Sequence, residues 1–465
     1  VNSSCDTERV IGIVTLGIAS YLNPLLQLAP ILTRQGYTVV FLSTSDVVAS
    51  AANSAGYAFF QLKAAPSDAC LADAKTAVQA NWLPTRIRDQ RIRASADQAW
   101  MRHGHGLAEF IQQYQPEIML VMAELHEYIV FLAGHHAPLV VIDTHLATRR
   151  QPGIPPPHRA HIPGVGPFAR CYSALQWSML KQRRRLSRGW QRLKLGKPAR
   201  ISALQQLARE LNLDARQFLD MSQWHFVDYP QLPLLRLANP RLNFSTAPEP
   251  GVFYTGALPG GAPAAGGPLQ PDSDEWRGFS KAIHRAGRPL VYCSLGSFMS
   301  NGEFIRRVIK ASKNQPWSLL LATGPDCQPS DLAPLPDNVA AFQWLPQWDV
   351  LDHAQAMLCA GGNATINECL FKGVPMLVYP IDRMDQYGMA ARVQFHGLGL
   401  RGQQHDKPAS IREKLAALLA SGSIRASIDA MQVHFLADAG SGNAEAAVRE
   451  AMQYAQSCQT NAEQR

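Results

Sequence analysis

The 465 residues carry a net charge of +8 and a pI near 9.1, with 46% hydrophobic and 17% charged residues. That balance excludes a disordered chain and leaves room for two domains of ordinary size, each with a sizeable core. No run of about 18 apolar residues occurs, so no membrane span is expected.

The opening VNSSCDTERV lacks the charged-then-apolar pattern of a secretory leader. The eight cysteines are scattered without a Cys-x-x-Cys pair, and Cys293 and Cys359 sit in apolar runs. Reduced, buried thiols in a cytoplasmic protein suit this pattern better than disulfides or a zinc site. The basic excess is uneven: residues 181–200 (KQRRRLSRGWQRLKLGKPAR) hold nine basic residues and no acid. Two readings stay open for it, a solvated basic helix and a peripheral contact with an anionic membrane surface or acceptor. No nucleic-acid module accompanies it, so nucleic acid is not an expected partner.

In chain order, residues 9–18 (RVIGIVTLGI) predict a buried strand. A helix opens around Pro24, which sits in the first turn where its missing N–H is tolerated. Leu25, Leu26, Leu28, Ile31 and Leu32 give that helix an apolar face, Gln35-Gly36 ends it, and residues 37–43 read as a second strand. Strand, helix and strand in this order begin a parallel sheet. Residues 58–62, 118–123 and 139–142 read as further strands. Residues 94–114 read as a helix that carries His103 and His105 on its surface. The proline-rich residues 148–170 read as a long loop, followed by helices at 171–190 and 202–211. Residues 257–274 (ALPGGAPAAGGPLQPDSD) read as a flexible connector. They divide a first domain (1–256) from a second (275–440), with a last helix and tail at 441–465. Strands at 289–294 and 318–323 begin the second domain; helices at 387–396, 411–420 and 444–456 complete it.

The most informative stretch is residues 344–386. An apolar strand, 356–359, runs into Gly361-Gly362 and then a helix on which Ile366, Cys369 and Leu370 share one face. Strand, double glycine and helix form an anion-binding unit: the backbone approaches closely, and the free N–H groups and positive helix end face a phosphate. Thr365 adds a hydroxyl in the first turn. Glu368, one turn on, is placed for a ribose diol. Trp344 offers a flat face for a nucleobase, and Asp385-Gln386 offers an acid and an amide for sugar hydroxyls.

Trp344-x-Pro-Gln347, Val350-Leu351-x-His353, Gly361-Gly362-x-x-Thr365-x-x-Glu368, Gly373-Val374-Pro375 and Asp385-Gln386 together resemble the donor signature of nucleotide-sugar-dependent glycosyltransferases with two Rossmann-like domains. That family includes plant UDP-glycosyltransferases and the macrolide and carotenoid glycosyltransferases. The resemblance implies an α/β fold of two doubly wound domains around a cleft, the GT-B architecture. It implies Trp344 stacked on uracil, Glu368 on the ribose, Gly361, Gly362, Thr365 and a Ser297 loop at the diphosphate, and Asp385 and Gln386 on the sugar. It implies a UDP-sugar, glucose first, passed with inversion to a small, partly apolar acceptor without metal or cofactor.

Three positions depart from the family. Ala360 stands where a phosphate-contacting His is usual, and the loop before Asp385 is one residue longer. Tyr21 occupies the place of the usual catalytic His, and a phenol of ordinary pKa near 10 is a poor base. Glu124, His126, Asp143 and His145, at the ends of two strands, are the candidates to replace it, Glu124 first, since strand carboxyl ends converge on the crevice of such folds. A nucleotide-sugar epimerase of the same fold, and a catalytically silent partner protein, are the rival readings.

Overall fold

The computed structural model describes residues 9–64, 100–146, 148–164, 166–195, 200–225, 227–245, 247–258, 287–296, 302–324, 327–381 and 385–463. Two parallel sheets divide the chain. The first contains β1 (Val10–Val14), β2 (Thr38–Ser43), β3 (Ala58–Gln61), β4 (Ile118–Met122), β5 (Leu139–Asp143), β6 (Leu234–Arg236) and β7 (Val252–Tyr254), in the order β3-β2-β1-β4-β5-β6-β7. The second contains β8 (Leu290–Ser294), β9 (Ser318–Ala322), β10 (Val339–Phe342), β11 (Ala356–Cys359), β12 (Met376–Val378) and β13 (Gly399–Arg401), in the order β10-β9-β8-β11-β12-β13. Each sheet reverses its winding once, between β1 and β4 and between β8 and β11. The carboxyl ends at such a switch point frame a crevice.

The strands are nearly continuous apolar runs because helices cover both faces of a parallel sheet. Every residue of β1, β4, β5 and β11 is buried. Full burial of each Leu, Ile or Val contributes about 1.5–3 kcal/mol. The first helix, Ala19–Arg34, tolerates Pro24 and Pro30 and turns Leu25, Leu28 and Leu32 fully inward. The last helix, Asn443–Glu463, packs on the first sheet: Val448 and Ala451 lie in that core, and Glu445 pairs with Arg34 at 2.8 Å. Because this helix follows the second sheet in sequence, it ties the two halves together.

Two expectations are corrected. The helix read at 94–114 is broken: a π-turn at Trp100–Gly104 ends at Gly106, whose φ of +86° starts a separate helix, Leu107–Tyr114. His105 is not a surface residue. It is 1% exposed, its Nδ1 accepts from the Leu107 N–H at 3.1 Å, and its ring packs edge-on against Phe131 with centroids 4.3 Å apart. Short strands β6, β7 and β13 and the helices Asp46–Ser54, Gly302–Ser312 and Gly422–Gly440 have no counterpart in the sequence reading. Beyond Ala257 and Leu258, the proposed connector lies outside the described residues.

The two halves also touch through the 148–164 loop. The Arg401 guanidinium donates to the Ala160 carbonyl at 2.6 Å. Gly388 lies so close to Pro157 that a Cβ there would stand 2.1 Å from its carbonyl oxygen. Any side chain at 388 would force the loop off the second domain.

Candidate active site

One wall of the cleft comes from the second sheet. Gly361, after β11, holds φ at +89°, and a Cβ on it would meet Val378 Cγ1 at 2.6 Å. Only glycine makes this turn without displacing β12. Gly362 caps the helix Asn363–Phe371, and the space where its side chain would be is open. The first-turn N–H groups of a helix have no intrahelical partner, so this end offers donors and positive potential to an anion.

Gln347 opens the helix Gln347–Leu351, after β10, with half-buried Trp344 just before it. Its amide nitrogen donates to Glu368 Oε2 at 2.5 Å and to Thr365 Oγ1 at 3.3 Å. One amide thus aligns the two side chains expected to meet ribose and phosphate. Burial raises the Glu368 pKa, and the bond from Gln347 and the charge of Lys372 oppose the rise. Gln386 is turned to its own loop, its Oε1 accepting from the Ile381 N–H at 2.8 Å. Asp385 caps the helix Gln386–Phe395, and its negative charge reaches across the cleft to Tyr21 and His145. Ser297 lies outside the described residues.

The opposite wall comes from the first sheet. Tyr21 follows β1, Glu124 follows β4, and Asp143 and His145 end β5. Asp143 is fully buried and joins several elements. Its Oδ1 accepts from the His145 backbone N–H at 2.8 Å and lies 3.0 Å from His145 Nδ1. Its Oδ2 accepts from Thr148 at 3.0 Å and lies 2.9 Å from His225 Nε2 and 3.4 Å from the buried Arg236 guanidinium. Burial alone would raise the Asp143 carboxyl, but His225, His145 and Arg236 hold it well below the usual range. For His145, burial works toward the neutral ring, yet the bond to Asp143 and the charges of Asp385 and Glu124 outweigh it and lift the pKa to about 10. The ring is therefore an imidazolium at neutral pH.

Glu124 Oε1 stands 3.5 Å from His145 Nδ1. Both Glu124 oxygens are shielded from water, and the Tyr21 hydroxyl and His145 Nδ1 are the polar groups that face them. The Tyr21 ring meets His145 edge-on at 5.8 Å. Burial first, then Glu124, Asp143 and Asp385, drive the Tyr21 phenol far above its ordinary pKa, so it cannot itself serve as a base at neutral pH. His126 lies apart from this group: its Nδ1 is 2.9 Å from the Tyr229 hydroxyl within the first domain. The walls meet where Asn363, at the phosphate-facing helix end, donates to the Thr144 carbonyl at 2.6 Å.

Glu124, Asp143, His145 and His225 bring four donor atoms of metal-ligand type within 4.8 Å of one another. Their arrangement fits a proton network better than a cation. Asp143 already engages two imidazoles and a hydroxyl, and the Arg236 charge opposes a second positive ion. His225 and Arg236 escaped the sequence reading. His225 follows no strand pattern, but Arg236 in the apolar run LPLLRLA was a visible signal of a buried counter-ion.

The two facing Rossmann-like domains, each with its switch point on one cleft, are the architecture of the GT-B glycosyltransferases. Residues 319–447 match the erythromycin biosynthesis protein CIII-like C-terminal domain. A demethyllactenocin mycarosyltransferase from Streptomyces fradiae is 39% identical over 95 residues, 20% of this chain and 21% of that protein. An NDP-glycosyltransferase from Bacillus licheniformis is 31% identical over 154 residues, 33% of this chain and 39% of that protein. The matched stretches thus span well under half of these curated relatives. The solved structure of the kitacinnamycin glycotransferase superposes with a TM-score of 0.66 at 19% identity, covering 96% of this chain and 99% of its own, a likeness of fold.

Proposed function

We propose that this chain transfers a sugar from a nucleoside diphosphate donor, UDP-glucose first, to a small, partly apolar acceptor, with inversion at the anomeric carbon and without a resident metal or cofactor. The observation that carries this is the Gln347–Glu368–Thr365 set beside an open, glycine-capped helix end, directly across the cleft from the Glu124–His145–Asp143 group. The first is suited to a nucleoside diphosphate, the second to proton transfer. The two relatives, named as glycosyltransferases, point the same way.

The acceptor hydroxyl attacks the anomeric carbon from the face opposite the diphosphate. The bond between that carbon and the diphosphate oxygen breaks, and the electron pair leaves with the nucleotide. The helix end at Gly361-Gly362 and the Thr365 hydroxyl meet the charge that develops there. The acceptor proton passes to Glu124, the carboxylate after β4 that faces Tyr21 and His145. His145, held by Asp143, stands 3.5 Å from this carboxylate and holds it in place. Tyr21 orients it.

The test is incubation with UDP-glucose, TDP-glucose and a panel of apolar alcohols and phenols, with chromatography for nucleoside diphosphate and glycoside. Stoichiometric release of both supports the proposal. Nucleotide binding without turnover for any acceptor would favour the silent-partner reading.

A further inference from the structure

The long helix Pro167–Leu195 is anchored on one side and exposed on another. Trp177, 3% exposed, donates to the Ile154 carbonyl at 2.8 Å, and Ser173 donates to the Gly153 carbonyl at 2.9 Å. Arg184 donates to the carbonyls of Gln223 at 2.6 Å and His225 at 3.1 Å. On the outer side, Phe168 is 90% exposed, Leu175 55%, Met179 53%, Leu186 75% and Trp190 63%, with Tyr172 at 49%. At 100° per residue these six fall within about 60° of arc, a stripe roughly 33 Å long. Scattered surface apolar residues need no explanation, but a continuous stripe of this length marks an interaction surface.

The charge of the helix selects the partner. Its sequence, PFARCYSALQWSMLKQRRRLSRGWQRLKL, has eight basic residues and no acid. On the same wheel the exposed Arg183 lies about 20° from the edge of the stripe, while the exposed Lys181 and Arg185 lie farther round the helix. The positive field reaches half-buried His158, whose pKa burial first, then Arg159, Arg184 and Arg183, lower to about 4. A second copy of the chain seated on this stripe would bring two cationic helices together. An apolar stripe on a helix that carries only positive charge fits an anionic lipid surface, which accepts both features at once.

We infer that the helix Pro167–Leu195 docks this protein on anionic lipid surfaces, with Phe168, Leu175, Leu186 and Trp190 entering the headgroup region and the exposed arginines, Arg183 at the edge of the stripe first, meeting the lipid charge. The inference does not rest on the proposed reaction, because binding is read without turnover. The experiment is sedimentation of the full chain with phosphatidylglycerol-containing vesicles and with phosphatidylcholine vesicles, at low and high salt. Expected is partition onto the anionic vesicles at least about tenfold stronger than onto the neutral ones, weakened by salt. Leu175→Glu/Leu186→Glu and, separately, Arg183→Glu/Arg185→Glu should each weaken it about tenfold or more, with melting temperatures unchanged because these side chains are exposed. Wild-type partition in both variants, or no preference for anionic vesicles, overturns the inference. So does absence of vesicle binding together with a concentration-dependent dimer that L175E/L186E dissolves, which would assign the stripe to a second copy.

Discussion

The two walls of the cleft are built in opposite ways. The wall proposed to bind the donor is a single stretch, Trp344 to Gln386, in which one amide, Gln347, reaches 18 and 21 residues along the chain to Thr365 and Glu368. The wall proposed to face the acceptor gathers Tyr21, Glu124, Asp143, His145, His225 and Arg236 from segments far apart in sequence, and a buried carboxylate holds much of it together. A local wall carries its chemistry as a motif. A dispersed wall carries its chemistry only once the chain has folded, through the contacts that close around Asp143.

The sharpest way to break this contrast is Glu124→Gln. If Glu124 accepts the acceptor proton, turnover should fall about 10²–10⁴-fold, while calorimetric nucleotide affinity stays within twofold or so. A loss of affinity in parallel with rate would mean that the two walls do not divide the labour.

The donor wall has its own test in Glu368→Ala. The substitution leaves the Gln347 amide with Thr365 alone and removes a charge-assisted contact to the ribose, which should weaken nucleotide binding by about 1.5–3 kcal/mol, roughly 10–150-fold. Unchanged affinity would remove Glu368 from the donor site. Tyr21→Phe should cost less than tenfold or so in turnover, since one orienting hydrogen bond contributes about 0.5–1.5 kcal/mol. A larger loss than in Glu124→Gln would make Tyr21 the principal group.

His145 gives the acceptor wall a pH signature. Its folded pKa of about 10 exceeds the ordinary 6.5, so folding binds a proton between those values. The resulting stabilisation is complete below about pH 6.5 and is lost as pH rises through about 10. The melting temperature of the wild type should therefore decline toward pH 10 more steeply than that of His145→Gln; parallel curves would show that the ring is not held as an imidazolium. The smallest expected effect is that of chelation. Turnover should be unchanged by EDTA, and a loss restored by a divalent cation would show that Glu124, Asp143, His145 and His225 hold a metal after all.

The sequence by itself determined the alternation of strands and helices, the double Rossmann arrangement and the donor wall. Those features rest on local rules: apolar runs of strand length, a positive-φ glycine at the end of β11, and side chains one helical turn apart. It also brought Glu124, Asp143 and His145 into view, because parallel strands deliver their carboxyl ends to one crevice. Tertiary structure alone decided how these residues combine. Which imidazole meets Asp143, that Arg236 lies buried beneath it, that His126 turns instead to Tyr229, and that His105 fills the core against Phe131 all depend on contacts between segments far apart in the chain. The same holds for the helix Pro167–Leu195: its composition was legible, but which of its faces is anchored through Trp177 and which is left exposed depends on where the loop at Ile154 lies.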